Sequence, residues 1–443
     1  MGTSIDAVAH EHKRTVKLTP EVRLYVLGSI LCVALSVCCH NFGDRGGPRF
    51  MASLIVACLA YLLGLRELFA RAKFSRRVVV IGLVLAAVWH VEFLAQRAGT
   101  DDDIHRYVWD GRLERLGYNP YKVVPSDPAV RGLHTAETRD LNNPDLPSPY
   151  PPGAQLFFRA ITTIHESAFA MKAAFVLCGF VIALVLLELL RSTGRDLHLV
   201  LAYAWNPLLA IEVAGSGHID IFGALLLVIS AAALVRRWRM TAAIALGLAV
   251  AVKFLPIVLV PLYWKRVRTR DALVAAVVVA LLYVPFLDHG SIPTGSLRTY
   301  VQTFRFNGPV FAAFDLFVPA KVLAGVAALA GVVTAIFMRR RLAACSSEAF
   351  AWPMAITLAC APVVFPWYLL WLLPFLMSPS TILLIIWTVS IIPTYVMWHL
   401  RALGRPWGAL PVWVMLLEYG CVAACGVILG LRRFTHKAYS ATE

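Results

Sequence analysis

The sequence predicts an all-α, polytopic transmembrane helical bundle, and three observations predict it. Of 443 residues, 59% are hydrophobic and only 15% charged, with mean hydropathy +0.71, a balance foreign to soluble domains of this size. Apolar runs of about 20 residues recur along the chain, the length that crosses a bilayer as a helix. The 41 Lys and Arg gather in short clusters between those runs, as they do on the cytoplasmic side of membrane proteins. Their placement accounts for the net charge of +15, and nucleic-acid binding is a poor reading of it.

Candidate spans cover residues 22–40, 50–65, 77–97, 168–190, 197–214, 219–235, 272–287, 317–338, 380–398 and 411–431. Two shorter runs, 350–363 and 365–378, are split by Pro362 and Pro366 and read as short or broken helices. The run 240–263 is long enough for one span, but Lys253 and Pro256 interrupt it. The count is about twelve spans plus a possible re-entrant hairpin at 240–263.

Basic clusters at 66–77, 191–196, 236–239, 265–271, 339–341 and 432–437 hold 20 of the 41 Lys and Arg, with three acidic residues. Setting them all in the cytoplasm makes 1–21 a cytoplasmic tail, puts the C-terminus inside and leaves 98–152 outside. Only a hairpin at 240–263 keeps 265–271 with the other clusters. The chain then reads as one membrane domain, 1–443, in a cell inner or plasma membrane. No internal repeat of the kind common in secondary transporters is visible. Eight of the nine cysteines lie in or beside apolar runs without a CxxC pair, so they read as small buried residues.

The 55 residues of 98–152 carry nine acidic and six basic groups, and a connection this long is usually functional. It opens with GTDDDIHRYVWDG. Adjacent carboxylates repel, and desolvating them beside a bilayer is costly. A helix start explains one aspartate, set at Asp101, because the N-terminal end of a helix favours negative charge. Three aspartates need more. Ile104, Tyr107, Val108 and Leu116 form a moderate stripe, which predicts a juxtamembrane helix lying at the surface. Asp102, Arg106 and Asp110 follow at i, i+4 and i+8, so Arg106 can pair with either carboxylate or hold a phosphate.

Two later motifs, GYNPY (117–121) and SPYPPGAQ (148–155), carry turn chemistry. Asn119, Tyr121 and Tyr150 within them also offer hydroxyls, amides and rings of the kind that pack on sugars. In GSGHID (215–220), His218 and Asp220 follow Glu212 and can serve acid–base work, a metal or an ordinary turn. His90 and Glu92 sit near the outer end of the third span. Lys253, in AVKFLP, can neutralise a lipid phosphate or reach the interface along its stem. Arg305 in FRFNG also suits a phosphate, and FPWYLLWLLPF (365–375) reads as an aromatic interfacial belt.

Taken in order, DDDIHRYVWDG, GYNPY, SPYPP, WNPLLAIEVAGSGHID, AVKFLPIVLVP and FPWYLLW resemble the GT-C superfamily of membrane glycosyltransferases. The likeness is to bacterial family-87-like and mannosyltransferase-like members and runs from about residue 100 to about 375. The resemblance implies an inverting transfer from a polyprenyl-phosphate sugar, mannose by family weight, to an extracytoplasmic lipid or glycan acceptor. It also implies a catalytic carboxylate in the first large outer loop. The family pattern of an Asp, a second acidic residue and then Arg-Tyr falls on Asp102, with Asp103 as close second and Arg106-Tyr107 completing it. No cofactor is firm; the acidic cluster with His218 and Asp220 leaves a divalent metal open. The alternatives are a transporter or flippase of lipid-linked sugars, or a non-catalytic scaffold.

Overall fold

The structure, a computed structural model, describes residues 18–70, 73–99, 102–287, 290–343, 346–405 and 410–440, with side chains as far as Leu431. The expected helix-start role of Asp101 and most of the tail 1–21 lie outside the described residues. No β-strand occurs among the described residues, and one isolated bridge joins Phe306 to Val363. The bundle is helical throughout.

Eight helical stretches among the described residues are long and apolar enough to cross a membrane. They include α1 (Pro20–His40), α2 (Pro48–Phe69), α3 (Arg76–Ala95) and α6 (Ala168–Ser192). A ninth is bent by 64° between Leu197–Ala204, which contains α7 (Val200–Ala204), and a π-helical turn at Leu209–Gly215. This is fewer than the roughly twelve spans expected, and the chain path explains part of the difference. The first span starts cleanly because the Thr19 hydroxyl accepts from the Val22 N–H and Pro20 takes the first helical position.

Two segments run out and back. After α8 (Asp220–Val235), α9 (Arg239–Val252) returns alongside it, bringing Lys253 Nζ to 2.7 Å from Asp220. The chain then reverses near Pro256, through α10 (Val260–Tyr263), and the Tyr263 hydroxyl lies 2.6 Å from Ser230, midway along α8. Residues 240–263 thus form the expected hairpin. The second reversal joins α15 (Ser347–Ala359) to 3₁₀ turns at Pro366–Trp371 and Leu373–Phe375. Phe375 stacks on Phe350 at 5.1 Å, and Ser380 donates to Glu348. The runs 350–363 and 365–378, expected as short or broken spans, are therefore the two arms of one return. Pro366 and Pro374 remove backbone donors, which favours tight turns there over a continuous helix.

The remaining helices are α11 (Thr269–Tyr283), α12 (Leu297–Thr303), α13 (Pro309–Phe314), α14 (Ala320–Arg341), α16 (Ile382–Ser390), α17 (Val396–Ala402) and α18 (Val412–Ser440). Three internal basic clusters meet at one end of the bundle. Arg266 donates to the Leu342 carbonyl, Arg339 to that of Trp264, and Arg195 to that of Met377 at the foot of the second return. The acidic loop occupies the opposite end.

Within that loop, α4 (Ile104–Arg115) does not lie on a surface as its stripe predicts. Ile104, Tyr107, Val108, Trp109 and Leu113 are all fully buried, and of the predicted stripe Leu116 alone, just beyond the helix, is exposed. Its partner is α5 (Pro152–Ile164), which approaches so closely that a Cβ on Gly111 would sit 2.5 Å from the Phe158 carbonyl oxygen. The extended loop between α4 and α5 packs rather than dangles. Trp109 stacks on His134 at 4.1 Å and joins Leu113 and Leu141 in a small second core.

Candidate active site

The two described aspartates at the head of α4 have different surroundings. Asp102 is 2% exposed; its Oδ1 accepts from Arg45 Nη1 at 2.7 Å and its Oδ2 from the Gly99 N–H at 2.7 Å. Arg45, in the short loop between α1 and α2, is itself 7% exposed. Breaking such a buried pair from one side costs about 3–5 kcal/mol, because the other charge is left without a partner. Asp103 is only half-buried. It occupies the N-cap position of α4 without capping it. Its carboxylate accepts instead from Asn142 Nδ2 at 2.6 Å and from the Tyr150 hydroxyl at 2.8 Å. Helix capping therefore does not account for this carboxylate.

Around Asp103 stands a group of tyrosines. Tyr107 and Tyr150 meet edge to face at 5.1 Å, and the hydroxyls of Tyr300 and Tyr368 are 2.5 Å apart. Burial first, then the charges of Asp103 and Asp220, push the Tyr107 hydroxyl well above the ordinary phenol range. Both carboxylates also act on Tyr300 and Tyr368, so all three tyrosines lie in the field of both. Asp220 is fully buried, with Lys253 Nζ on one oxygen at 2.7 Å and the Trp371 indole N–H on the other at 2.8 Å. Lys253 also stands 4.6 Å over the Tyr368 ring and keeps its side chain 19% exposed. The snorkelling lysine expected from the sequence is thus fixed in place by Asp220 and the Tyr368 ring.

The 215–220 corner supplies a second polar group. His218 stacks on Trp367 at 4.0 Å, and its Nε2 is 3.1 Å from Glu212 Oε2, outside hydrogen-bonding geometry. The Tyr395 hydroxyl donates to the other Glu212 oxygen. Among the described residues, no three His, Cys, Asp or Glu side chains converge as metal ligands.

Residues 47–267 match the model of a family described as alpha-(1->6)-mannopyranosyltransferase, N-terminal domain. The chain is a GT-C mannosyltransferase-like protein. No curated protein and no solved structure matches it. It is accordingly a membrane glycosyltransferase, with a sugar donor and an acceptor as its substrates.

In this mannosyltransferase-like chain the matched stretch carries both aspartates, Tyr107, Tyr150, His218, Asp220 and Lys253. Several other sequence candidates hold the scaffold. Arg106 pairs with neither Asp102 nor Asp110; it donates to the carbonyls of Asn143 and Leu146 and ties the loop to α4. Asp110 is fully buried, accepting from Ser148 and Gln155. Burial pushes it up to about 6, against the pull of Arg106 and those two hydrogen bonds. One turn on, burial and then the Asp110 charge push Glu114 up to about 8. Asn119 accepts from the Tyr121 N–H and donates to the Phe286 carbonyl, while the Tyr121 hydroxyl donates to that of Tyr150. Arg305, expected at a phosphate, is paired with Asp315 at 2.7 Å.

Arg45, Tyr300, Tyr368 and Trp371 complete the mannosyltransferase-like site from outside the matched stretch, and sequence reasoning missed them as site residues. Each is brought in by tertiary contact; Tyr368 and Trp371 lie in the FPWYLLW motif, read as an interfacial belt, and Arg45 and Tyr300 carry no local signal. A cavity of about 190 Å³, lined by Leu190, Arg195, Val228, Phe350 and Phe375 among others, is bounded by none of these carboxylates.

Proposed function

We propose that the protein moves a mannosyl unit from a polyprenyl-phosphate donor to a lipid or glycan acceptor, inverting the anomeric centre, on the extracytoplasmic face. In this reading the chain is one membrane domain, the basic end and both termini face the cytoplasm, and 98–152 is the catalytic loop. Opposite ends for the basic clusters and the acidic site support that topology.

The observation that carries the chemistry is the placing of a half-buried carboxylate, Asp103, and a partly exposed ammonium, Lys253, around one set of tyrosines. Asp103 accepts the proton of the acceptor hydroxyl as its oxygen attacks the anomeric carbon. The bond from that carbon to the phosphate oxygen breaks, and Lys253 stabilises the departing polyprenyl phosphate. One displacement through an oxocarbenium-like state gives inversion. The sequence register favours Asp102 as the base. We assign the role to Asp103, because Asp102 is buried and ion-paired with Arg45, whereas Asp103 is half-buried and its partners, Asn142 and Tyr150, are neutral. Tyr150 and Asn142 hold the Asp103 carboxylate in position.

The test is transfer by the full-length protein in lipid nanodiscs, offered labelled polyprenyl-phosphate mannose or a nucleotide mannose. Product from the lipid donor alone is expected. Product from the nucleotide alone contradicts the donor assignment, and movement of the lipid-linked sugar across the bilayer without bond formation contradicts the transferase reading.

A further inference from the structure

We propose that Arg45 is a positioning residue for the transfer: it fixes Asp102 and, through the shared start of α4, sets the direction of Asp103. The proposal rests on the reading of Asp103 as proton acceptor. Arg45 lies just ahead of the family match, in a loop whose sequence, NFGDRGGPR, carries no catalytic signature.

The geometry of that loop is built around the guanidinium. Arg45 Nη1 reaches Asp102 Oδ1 at 2.7 Å and Ser216 Oγ at 2.6 Å, joining the α1–α2 loop, the catalytic loop and the 215–218 corner at one atom. The guanidinium carbon stands 4.8 Å over Phe42 and 5.9 Å from Trp398, so rings as well as partners limit its movement. Two glycines permit the approach. A Cβ on Gly99 would fall 2.4 Å from Arg45 Nη2. At Gly46 (φ +82°) a Cβ would fall 2.0 Å from the Tyr395 carbonyl oxygen. The same Tyr395 donates to Glu212 beside His218, so the loop is also referenced to the polar corner.

Asp102 and Asp103 are adjacent on one rigid turn. The Asp102 N–H donates to the Gly99 carbonyl, and those of Arg106 and Tyr107 donate to the Asp103 carbonyl. A shift of Asp102 therefore carries Asp103 with it. Lysine at position 45 retains the charge but loses the planar guanidinium that lies over the Phe42 ring while one of its nitrogens donates to both acceptors.

The experiment uses full-length protein in nanodiscs with Arg45→Gln, Arg45→Lys, Asp102→Ala and the Arg45→Gln, Asp102→Ala pair. Two readouts are taken: amide hydrogen exchange over residues 99–107, and kcat and donor KM with polyprenyl-phosphate mannose. Arg45→Gln is expected to speed exchange at those amides about tenfold. It should also lower kcat about a hundredfold with KM within about twofold, since small misplacements act on the chemical step. Arg45→Lys should recover part of that loss. The pair should be no worse than Asp102→Ala, because both changes act through one contact. Unchanged exchange with unchanged kcat in Arg45→Gln overturns the proposal, as do additive losses in the pair. If Arg45→Gln does not fold, Arg45→Lys carries the same two readouts. If the wild type transfers no mannose, the transferase reading falls, while the exchange data still decide whether Arg45 fixes the start of α4.

Discussion

Lys253 Nζ lies 2.7 Å from Asp220 Oδ2, joining the turn of a doubled-back segment to the first residue of α8. The pair does two things: it neutralises a fully buried carboxylate, and it leaves a partly exposed ammonium beside the tyrosines. These roles separate by mutation. On the proposed mechanism Lys253→Met removes the cation that stabilises the leaving group, and kcat should fall about 10²–10³-fold. It also strands Asp220, so thermal stability should fall with it. Adding Asp220→Asn should restore stability and leave kcat low; recovery of both in a transfer assay would show that Lys253 is structural only.

Tyr150 donates one of the two side-chain hydrogen bonds that Asp103 accepts. Tyr150→Phe keeps the ring against Tyr107 and Phe158 and deletes that donor. A roughly ten- to hundredfold loss in kcat with a small change in melting temperature is expected, in line with about 1.5–3 kcal/mol for a hydrogen bond to a charged group. Steady-state kinetics beside a thermal melt gives both numbers.

Gly111 lets α4 and α5 touch backbone to backbone. Gly111→Val should cost at least about 1–3 kcal/mol through overpacking and should lower transfer by moving the head of α4. Gly43, where an added Cβ meets nothing within 4 Å, serves as control: Gly43→Ala should be close to neutral. Denaturation monitored by tryptophan fluorescence compares the two.

Asp110 at about 6 and Glu114 at about 8 both sit above their ordinary values because burial disfavours the charged form. The folded chain therefore binds more protons than the unfolded chain between about pH 4 and pH 8. Their contribution is complete below the unfolded values near 4 and is lost as pH rises through about 6 and then about 8. Melting temperature should decline over that interval, and Glu114→Gln should flatten its upper part. An unchanged slope in Glu114→Gln would remove Glu114 as the cause.

Much of the architecture was legible because hydropathy and basic clusters report directly on a bilayer. Lys253 stood out as a lone charge in an apolar run, and it does mark the hairpin tip. The second return did not stand out: two short apolar runs separated by prolines look alike whether they cross or reverse, and tertiary contacts such as Phe350–Phe375 and Ser380–Glu348 distinguish them. Arg45 was unreadable because it is 57 positions from the carboxylate it fixes. Arg305 looked like a free cation in FRFNG because its partner, Asp315, lies ten residues on, beyond a turn and the short α13. The sequence register favours Asp102 over Asp103 only narrowly, and it is their tertiary partners that separate them.

The most direct measurement is single-turnover transfer from polyprenyl-phosphate mannose by Asp103→Asn and Asp102→Asn, each checked for folding by its melting curve. Asp103→Asn should fold like the wild type and lose the chemical step by about 10²–10⁴-fold, the usual worth of a general base. Asp102→Asn should lose stability along with rate, because its change unpairs Arg45. Wild-type turnover by well-folded Asp103→Asn would contradict the account.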